Sequence, residues 1–410
     1  MAMTSGAVSV HGDPEMAGTV DSDLVASSPK PQRLLSIDVL RGLTIAFMIL
    51  VNNEPDPNSF HALNHAEWNG FTPTDLVFPT FLFLVGLSLV LSTSARMARG
   101  VTRATLFLHM LRRAAVLCAF GLVVNTFPFQ HLDRIRYYGV LQRTGLCYLA
   151  AGTLCVFWPG WKNKVVIAGL CLAGYWALMR FVPVPGFGVP THTVAINHPD
   201  GNLTAYLDRA LFAPQHLYQR VRDPEGLLST LPAIATTIMG VLAGLWLRTS
   251  RETAKKIAGI VSVGMLSVLA GALWNLSFPI NKKLWTSSFV LFAGGLSLLL
   301  LALAMYLVDV KRFGRQSVSR ADVPERPTIY SPLLVFGTNS IAAYMISELL
   351  PSIVAMVKTA KGDALKDYAT WLHRVVPVYG VPSMLFGLSF VLLTWMLVYP
   401  LYRKRIFLRV

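Results

Sequence analysis

Ten stretches of about 20 mainly apolar residues run through this chain, each long enough to cross the hydrocarbon core of a bilayer as an α-helix. They fall at approximately 34–52, 74–95, 103–125, 137–157, 162–182, 227–247, 254–274, 284–308, 329–357 and 379–402. In lipid every backbone N–H and C=O must find a partner inside the protein, and a run of this length meets that demand as a helix. The expected fold class is therefore all-α: a polytopic membrane protein, a bundle of about ten transmembrane helices. Composition agrees, because 14% charged residues against 54% hydrophobic ones are too few to solvate the surface of an ordinary soluble protein of 410 residues. The fifth run leads into the Pro-rich "VPVPGFGVP", and the ninth contains Pro332 and Gly337, where a break is expected.

A net charge of +15 invites a nucleic-acid reading, but the Lys and Arg sit in short clusters between apolar runs and form no continuous basic stripe. Nucleic acid is therefore not an expected partner; the bilayer is. "RMARGVTR", "WKNK", "RTSRETAKK", "DVKRFGRQ" and "YRKRIFLRV" all fall on one side when the loops are alternated, while the first loop on the other side, Asn53 to Pro73, has neither Lys nor Arg. By the positive-inside rule both termini are cytoplasmic. Residues 1–33, rich in Ser, Gly, Asp and Pro and without an apolar core, are expected to be a disordered cytoplasmic tail. The membrane domain spans 34–402, a basic cytoplasmic tail follows at 403–410, and outer loops 53–73 and 183–226 cap its far end. Cys118, Cys147, Cys155 and Cys171 lie in or beside apolar runs without a CxxC pair, so packing is their expected role.

Polar groups inside a span are costly, so their depth is informative. Followed in their inferred directions, the helices carry Asn52, Asp75, Gln142 with Arg143, Ser229 with Thr230, Trp285 with Thr286, Asn339, Tyr344 and Glu348 toward the outer ends. The outer loops add His65, Glu67, Asn69, Asp133, Arg134, Glu225, Asn281 and Lys282. This distribution describes the wall of a polar cavity opening outward, which suits an enzyme and equally a transporter for a sugar or other small molecule. No internal repeat of the kind that builds many transporters is evident. Toward the cytoplasm stand Asp38 with Arg41, and Arg112 with Arg113. Such arginines suit phosphates of a ligand, or of lipids, and Asp38 and Arg41 are spaced to pair with each other.

The stretch "HALNHAEWNGFTPTDLVFPTF", His61 to Phe81, brings two histidines, Glu67 and Trp68 to the mouth of the second span. His61 and His65 have i, i+4 spacing, but Glu67 is not in the HExxH position and no third ligand is evident, so no metal is expected. One imidazole acting as acid, base or transient acyl acceptor suits the pattern, as does a solvated loop histidine. Asp75 can be an orienting partner or simply a first-turn acid favoured by the helix dipole. Trp68 suits a membrane interface or a sugar face.

The blocks "RLLSIDVLRGLTIAFMILVNN", "HAEWNGFTPTDLVFPTFLFLVGLSLVLS", "GVLQRTGLCYLAAG", "DPEGLLSTLPAIATTIMG", "NKKLWTSSFVLFAGG" and "FGTNSIAAYMISELL" together resemble the heparan-α-glucosaminide N-acetyltransferase family and its bacterial relatives. The resemblance covers residue 33 to about 350 and implies acetyl transfer from cytoplasmic acetyl-CoA to the amine of a glucosamine-type sugar or glycan across the membrane. It implies His65 as the catalytic histidine and Asn52 as a second site residue; Asp75 is then the first candidate to orient the imidazole and Glu348 the alternative. Arg41, Arg112 and Arg113 are then candidates for the donor's phosphates, and Trp68, Glu225, Asn281, Trp285 and Glu348 for the acceptor. It further implies an integral protein of a bacterial inner membrane with the site opening to the periplasm. Monomer and homodimer both remain open.

Overall fold

The computed structural model describes residues 34–53, 59–311, 313, 328–360 and 362–408; the expected tail at 1–33 lies outside them. In chain order the helices are α1 (Leu35–Asn52), α2 (Val77–Met97), α3 (Arg103–Thr126), α4 (Val140–Phe157), α5 (Trp161–Phe181), α6 (Leu203–Leu211) and α7 (Leu227–Leu247). There follow α8 (Thr253–Trp274), α9 (Ser287–Ala304), α10 (Ser331–Thr338), α11 (Ser340–Ala355), α12 (Ala364–Val375) and α13 (Val381–Arg403). A 3-10 turn, Pro73–Leu76, leads into α2, and α9 continues as a π-helix over Met305–Val310. Strand pairing between elements is confined, among the described residues, to a two-residue hairpin, Lys358–Thr359 with Gly362–Asp363.

Nine of these helices are long and apolar enough to cross a membrane: α1, α2 with its leading turn, α3, α4, α5, α7, α8, α9 with its continuation, and α13. The ninth expected span is different. It is a pair, α10 and α11, bent by 88°. The break falls at Asn339, not at Pro332 or Gly337. Pro332 sits in the first turn of α10, where a missing N–H costs nothing. Gly337 stays helical because its bare Cα lets α10 touch α1; a Cβ there would stand 2.0 Å from the Asp38 carbonyl oxygen. Asn339 has φ −124° and ψ 42°, outside the helical region, and its Oδ1 accepts from the Leu408 amide at 3.0 Å. This corrects the expected depth of Asn339. It lies at the end of the bundle that holds Asp38 and Leu408, away from Asn52.

The bundle is organised around α2 and α7, whose most apolar windows are 72% and 67% buried, whereas α3 and α8 bury 22% of theirs and present Leu108, Leu266 and their neighbours outward. α2 and α7 meet backbone to backbone through glycine, as small residues allow in membranes. A Cβ on Gly86 would lie 1.9 Å from the Thr237 carbonyl oxygen, and one on Gly240 1.9 Å from that of Phe83. Gly240→Ala is expected to force the two central helices apart and cost about 1–3 kcal/mol, read as a lower thermal midpoint in detergent by fluorescence-detected size exclusion. A midpoint equal to that of the wild type would contradict this packing.

At the Asn52 end the segment 183–226 folds over the ends of α5 and α7 and supplies α6. Val184, Ile196 and Leu203 pack with Tyr175, Met179, Phe278 and Leu284 in a separate apolar cluster. That cluster gives the long loop a core of its own, which the sparse apolar periodicity of its sequence did not indicate.

Candidate active site

The second span opens on Thr72-Pro73-Thr74-Asp75, a 3-10 turn with Thr72 at its N-cap and Pro73 at a position that needs no N–H. Asp75 serves two purposes there. Its Oδ2 accepts from the Thr72 amide at 3.0 Å and the Ala66 amide at 3.2 Å, which closes the loop back on the helix start. Its Oδ1 lies 2.8 Å from His65 Nδ1. The Thr72 hydroxyl donates to the Asn64 carbonyl at 2.7 Å, fixing the residue just before His65. The Asp75 side chain is 1% exposed and that of His65 is 42% exposed, so a buried carboxylate holds a half-exposed imidazole.

Because the carboxylate can only accept, Nδ1 carries the proton and Nε2 the lone pair. Burial, the largest influence, and the nearby Lys282 charge lower the His65 pKa, and Asp75 opposes them without cancelling them, so the ring is held below its ordinary range and is neutral at pH 7. The i, i+4 pairing of His61 and His65 on one helix face is not realised. The 3-10 helix that begins at His61 ends at Leu63, and Asn64 is extended. Among the described residues no group of three or more His, Cys, Asp or Glu is placed to hold a metal ion.

The "WNG" turn stitches three segments together. Gly70 has φ +115°, a conformation that a side chain would strain, and its amide donates to the Ile280 carbonyl at 2.9 Å. Asn69 Oδ1 accepts from Asn281 Nδ2 at 3.2 Å and from the Asn197 amide group. Trp68 Nε1 donates to the Asn197 carbonyl at 2.8 Å, and the Arg222 guanidinium lies 4.9 Å from the centre of the Trp68 ring. The loop carrying His65 is thereby tied to 183–226 and to the segment between α8 and α9.

That last segment supplies Lys282, whose Nζ lies 3.0 Å from both ring nitrogens of His65 and 3.9 Å from Asp75 Oδ1. Burial lowers the Lys282 pKa to about 8, with Lys283 adding to the shift and Asp75 and Glu225 opposing it. Asn281 itself is fully buried, its Oδ1 accepting from the Leu284 amide at 2.9 Å, so its amide is engaged in holding the turn. Trp285 is 1% exposed: it donates to Thr236 Oγ1 at 3.1 Å, packs edge-on against Phe78 and Phe289, and lies beneath the Arg143 guanidinium at 5.2 Å. Expected at the acceptor's surface, Trp285 instead forms the packed floor behind the site, because an indole offering no free face cannot stack on a sugar.

Asn52 Nδ2 donates to Glu348 Oε1 at 3.0 Å, joining two residues almost 300 positions apart in the sequence. Glu348 and Glu225 both lie within electrostatic reach of Tyr344 and of Arg136. Arg136 was not apparent from the sequence. It makes two bonds to Asp223, at 2.7 and 2.6 Å, and a third to Glu225, and these acids hold its guanidinium above its ordinary pKa. The signal available was the acid pair of "DPEG" facing the arginines of "DRIRYYG"; of the latter, Arg134 pairs with exposed Asp133. Arg136→Met leaves the fully buried Asp223 carboxylate without its counter-ion and is expected to cost about 3–5 kcal/mol. Limited proteolysis within 183–226 should accelerate accordingly; a cleavage rate equal to the wild type would rule this out.

At the opposite end Arg41 donates to Asp38 Oδ1 at 3.2 Å, to the Gly337 carbonyl at 3.0 Å and to Ser88 Oγ at 2.8 Å. It clamps α1 to α2 and to the α10–α11 break, so its guanidinium is already engaged by the protein. Arg113 lies 4.8 Å above the Tyr148 ring, and Arg112 is exposed.

Residues 33–273 match the family described as heparan-alpha-glucosaminide N-acetyltransferase, catalytic. The chain is similar to the heparan-alpha-glucosaminide N-acetyltransferase of Homo sapiens, 27% identical over 97% of this chain and 64% of that protein. It is also similar to the protein of the same name from Mus musculus, 28% identical over 83% of this chain and 57% of the relative. The chain thus spans less than two thirds of the length of either relative. The matched region runs from α1 through α8 and includes His65, Asp75, Asn52 and the Arg136–Asp223–Glu225 cluster. On that match the chain belongs to the heparan-alpha-glucosaminide N-acetyltransferase catalytic family.

Proposed function

We propose that this protein is a transmembrane acetyltransferase that moves the acetyl group of acetyl-CoA to the amine of a glucosamine-type sugar, with His65 taking the amine proton. The observation that carries this reading is the His65 Nδ1 to Asp75 Oδ1 contact of 2.8 Å, made by a buried acid to a half-exposed imidazole. It sets the tautomer that leaves the lone pair on Nε2, the atom that accepts a proton or an acyl group. In the direct route the sugar nitrogen attacks the thioester carbonyl, the C–S bond breaks as the C–N bond forms, and Nε2 receives the proton. In the two-step route Nε2 itself takes the acetyl group and passes it on.

The distribution of basic loops supports an orientation with both termini and the Asp38 end in the cytoplasm; in that orientation the site opens on the far side of an inner membrane and the donor enters from the Asp38 end. Arg112 and Arg113 remain for its phosphates, since Arg41 is held by Asp38, Ser88 and Gly337. On the acceptor side Glu225, Glu348 and Asn52 offer oxygens to an amino sugar, Trp68 an aromatic edge, and Asn281 and Trp285 hold the wall behind them. The experiment uses the full chain in sealed liposomes, with acetyl-CoA and glucosamine on opposite sides. Equal amounts of N-acetylglucosamine and free CoA thiol are expected.

The 88° break at Asn339 favours one other reading, a transporter, because discontinuous spans are a common device of carriers. Sugar flux without thiol release would establish it and overturn the acetyltransferase. A labelled acetyl group trapped on the protein before acceptor is added would select the two-step route; strict dependence on both substrates would select the direct one.

A further inference from the structure

Lys282 stands nearer to His65 than any expectation from its sequence position required, and the turn that carries it is built to hold it there. Trp285 adopts φ +52°, a left-handed conformation costly for a bulky residue, and its buried indole keeps it in place. Asn281 closes the turn from the other side: its amide donates to Thr286 Oγ1 at 3.0 Å, and the Trp285 amide donates to the Lys282 carbonyl at 3.0 Å. A flexible lysine is thus mounted on a fixed base, with Nζ 3.0 Å from the Nε2 that the mechanism needs.

We infer that Lys282 is a catalytic acid, delivering the proton that the departing thiolate of CoA requires and recovering it from His65. This rests on the acetyltransferase reading. The step balances. The sugar amine loses one proton to His65 Nε2 as C–N forms; the Lys282 ammonium gives one to the sulfur as C–S breaks; the neutral Lys282 then takes the proton from Nε2. Both groups return to their starting states, with one N-acetyl sugar and one CoA thiol formed.

Three further observations support the role. Nζ already lies 3.0 Å from Nε2, the nitrogen that carries the lone pair, so proton return to Lys282 needs no rearrangement of the turn. Burial brings Lys282 down to about 8, close to the ordinary range of a thiol, which is where an acid for a thiolate works best. The groups facing Lys282 are His65 and Asp75 from the loop and first turn of the second span, Glu225 from the 183–226 segment, and Lys283 beside it. Lys283 in turn donates to the Glu67 carbonyl and lies within reach of Arg222. The two acids favour the ammonium and Lys283 opposes it, so the balance keeps a proton on Lys282 at neutral pH. A protonated lysine also resists acetylation by the donor, which would otherwise leave it as an unreactive amide.

The test is the pH dependence of kcat at saturating donor and acceptor, measured on the purified full chain from about pH 6 to about pH 10. In the wild type kcat should fall as pH rises through about 8, where Lys282 loses its proton. Lys282→Gln should lower kcat roughly 10²–10³-fold with KM for acetyl-CoA little changed. Lys282→Arg keeps the charge, but a guanidinium does not release its proton, so kcat should stay at least about tenfold low and the alkaline fall should vanish. The inference is overturned if the wild type shows no alkaline fall, a reading that depends on no variant folding. It is also overturned if Lys282→Gln keeps kcat within about threefold, or if Lys282→Arg restores it fully, which would make charge alone sufficient. Absence of acetyl transfer by the wild type at every pH would instead remove the acetyltransferase reading itself.

Discussion

His65→Ala is expected to lower kcat for acetyl transfer by at least about 10³-fold while leaving acetyl-CoA binding within about twofold. The split follows from geometry. His65 lies at the Asn52 end, whereas the arginines available for the donor's phosphates, Arg112 and Arg113, stand well inside α3, with Arg113 over Tyr148 midway along α4. A residue that meets the reacting atoms and not the phosphates should change the chemical step and spare binding. His61 is the internal control: it is exposed at the start of a one-turn helix, and His61→Ala should leave kcat within about twofold. A His65→Ala enzyme retaining wild-type kcat, or an equal loss in both variants, would remove His65 from the centre of the mechanism.

Asp75→Asn should be nearly as damaging, by about 10²–10⁴-fold in kcat, because an amide can present its N–H to Nδ1 and thereby move the imidazole proton to Nε2, the atom that must be free. Asp75 Oδ2 also accepts from both the Thr72 and Ala66 amides, so an amide that turns its N–H to Nδ1 keeps its oxygen on both donors but loses the negative charge that strengthens those bonds. A stability loss of about 1–3 kcal/mol should accompany the kinetic one. The two effects separate by measurement. The thermal midpoint reports loop closure, and kcat of the folded fraction reports the tautomer. In the double variant with His65→Ala the kinetic losses should not add, since each removes the same unit. Additive losses would mean that Asp75 acts on catalysis by a route other than His65.

Much of this molecule is legible along the chain because lipid imposes local rules. Nine of the ten expected spans are present as single helices, with ends shifted by a few residues, and the break in the ninth was foreseen although its position was not. Pro332 and Gly337 carry breaking signals, yet the first falls where a helix tolerates proline and the second is used for contact with α1. Local propensity could not show that Asn339 would be the residue to leave the helical region, because its partner is Leu408, far along the chain.

The site divides the same way. His65 and Asp75 are ten residues apart, and the cap that joins them uses the turn chemistry of "FTPTD", so their pairing is nearly local. Trp285 and Arg41 were expected to meet ligands, and their burial and engagement by protein partners depend on which helices surround them. Lys282 and Arg136 went unassigned for the complementary reason.

The sequence by itself determined the number and approximate extent of the spans and the family, and it singled out His65 and Asp75 as candidates, since each is written in hydrophobic length or in short motifs. Only the tertiary structure decided that Lys282 would reach His65, that Arg136 would hold Asp223 and Glu225, and that Asn52 would meet Glu348. Those contacts join segments from about 87 to nearly 300 residues apart, and no local periodicity or turn preference encodes a partner at that separation.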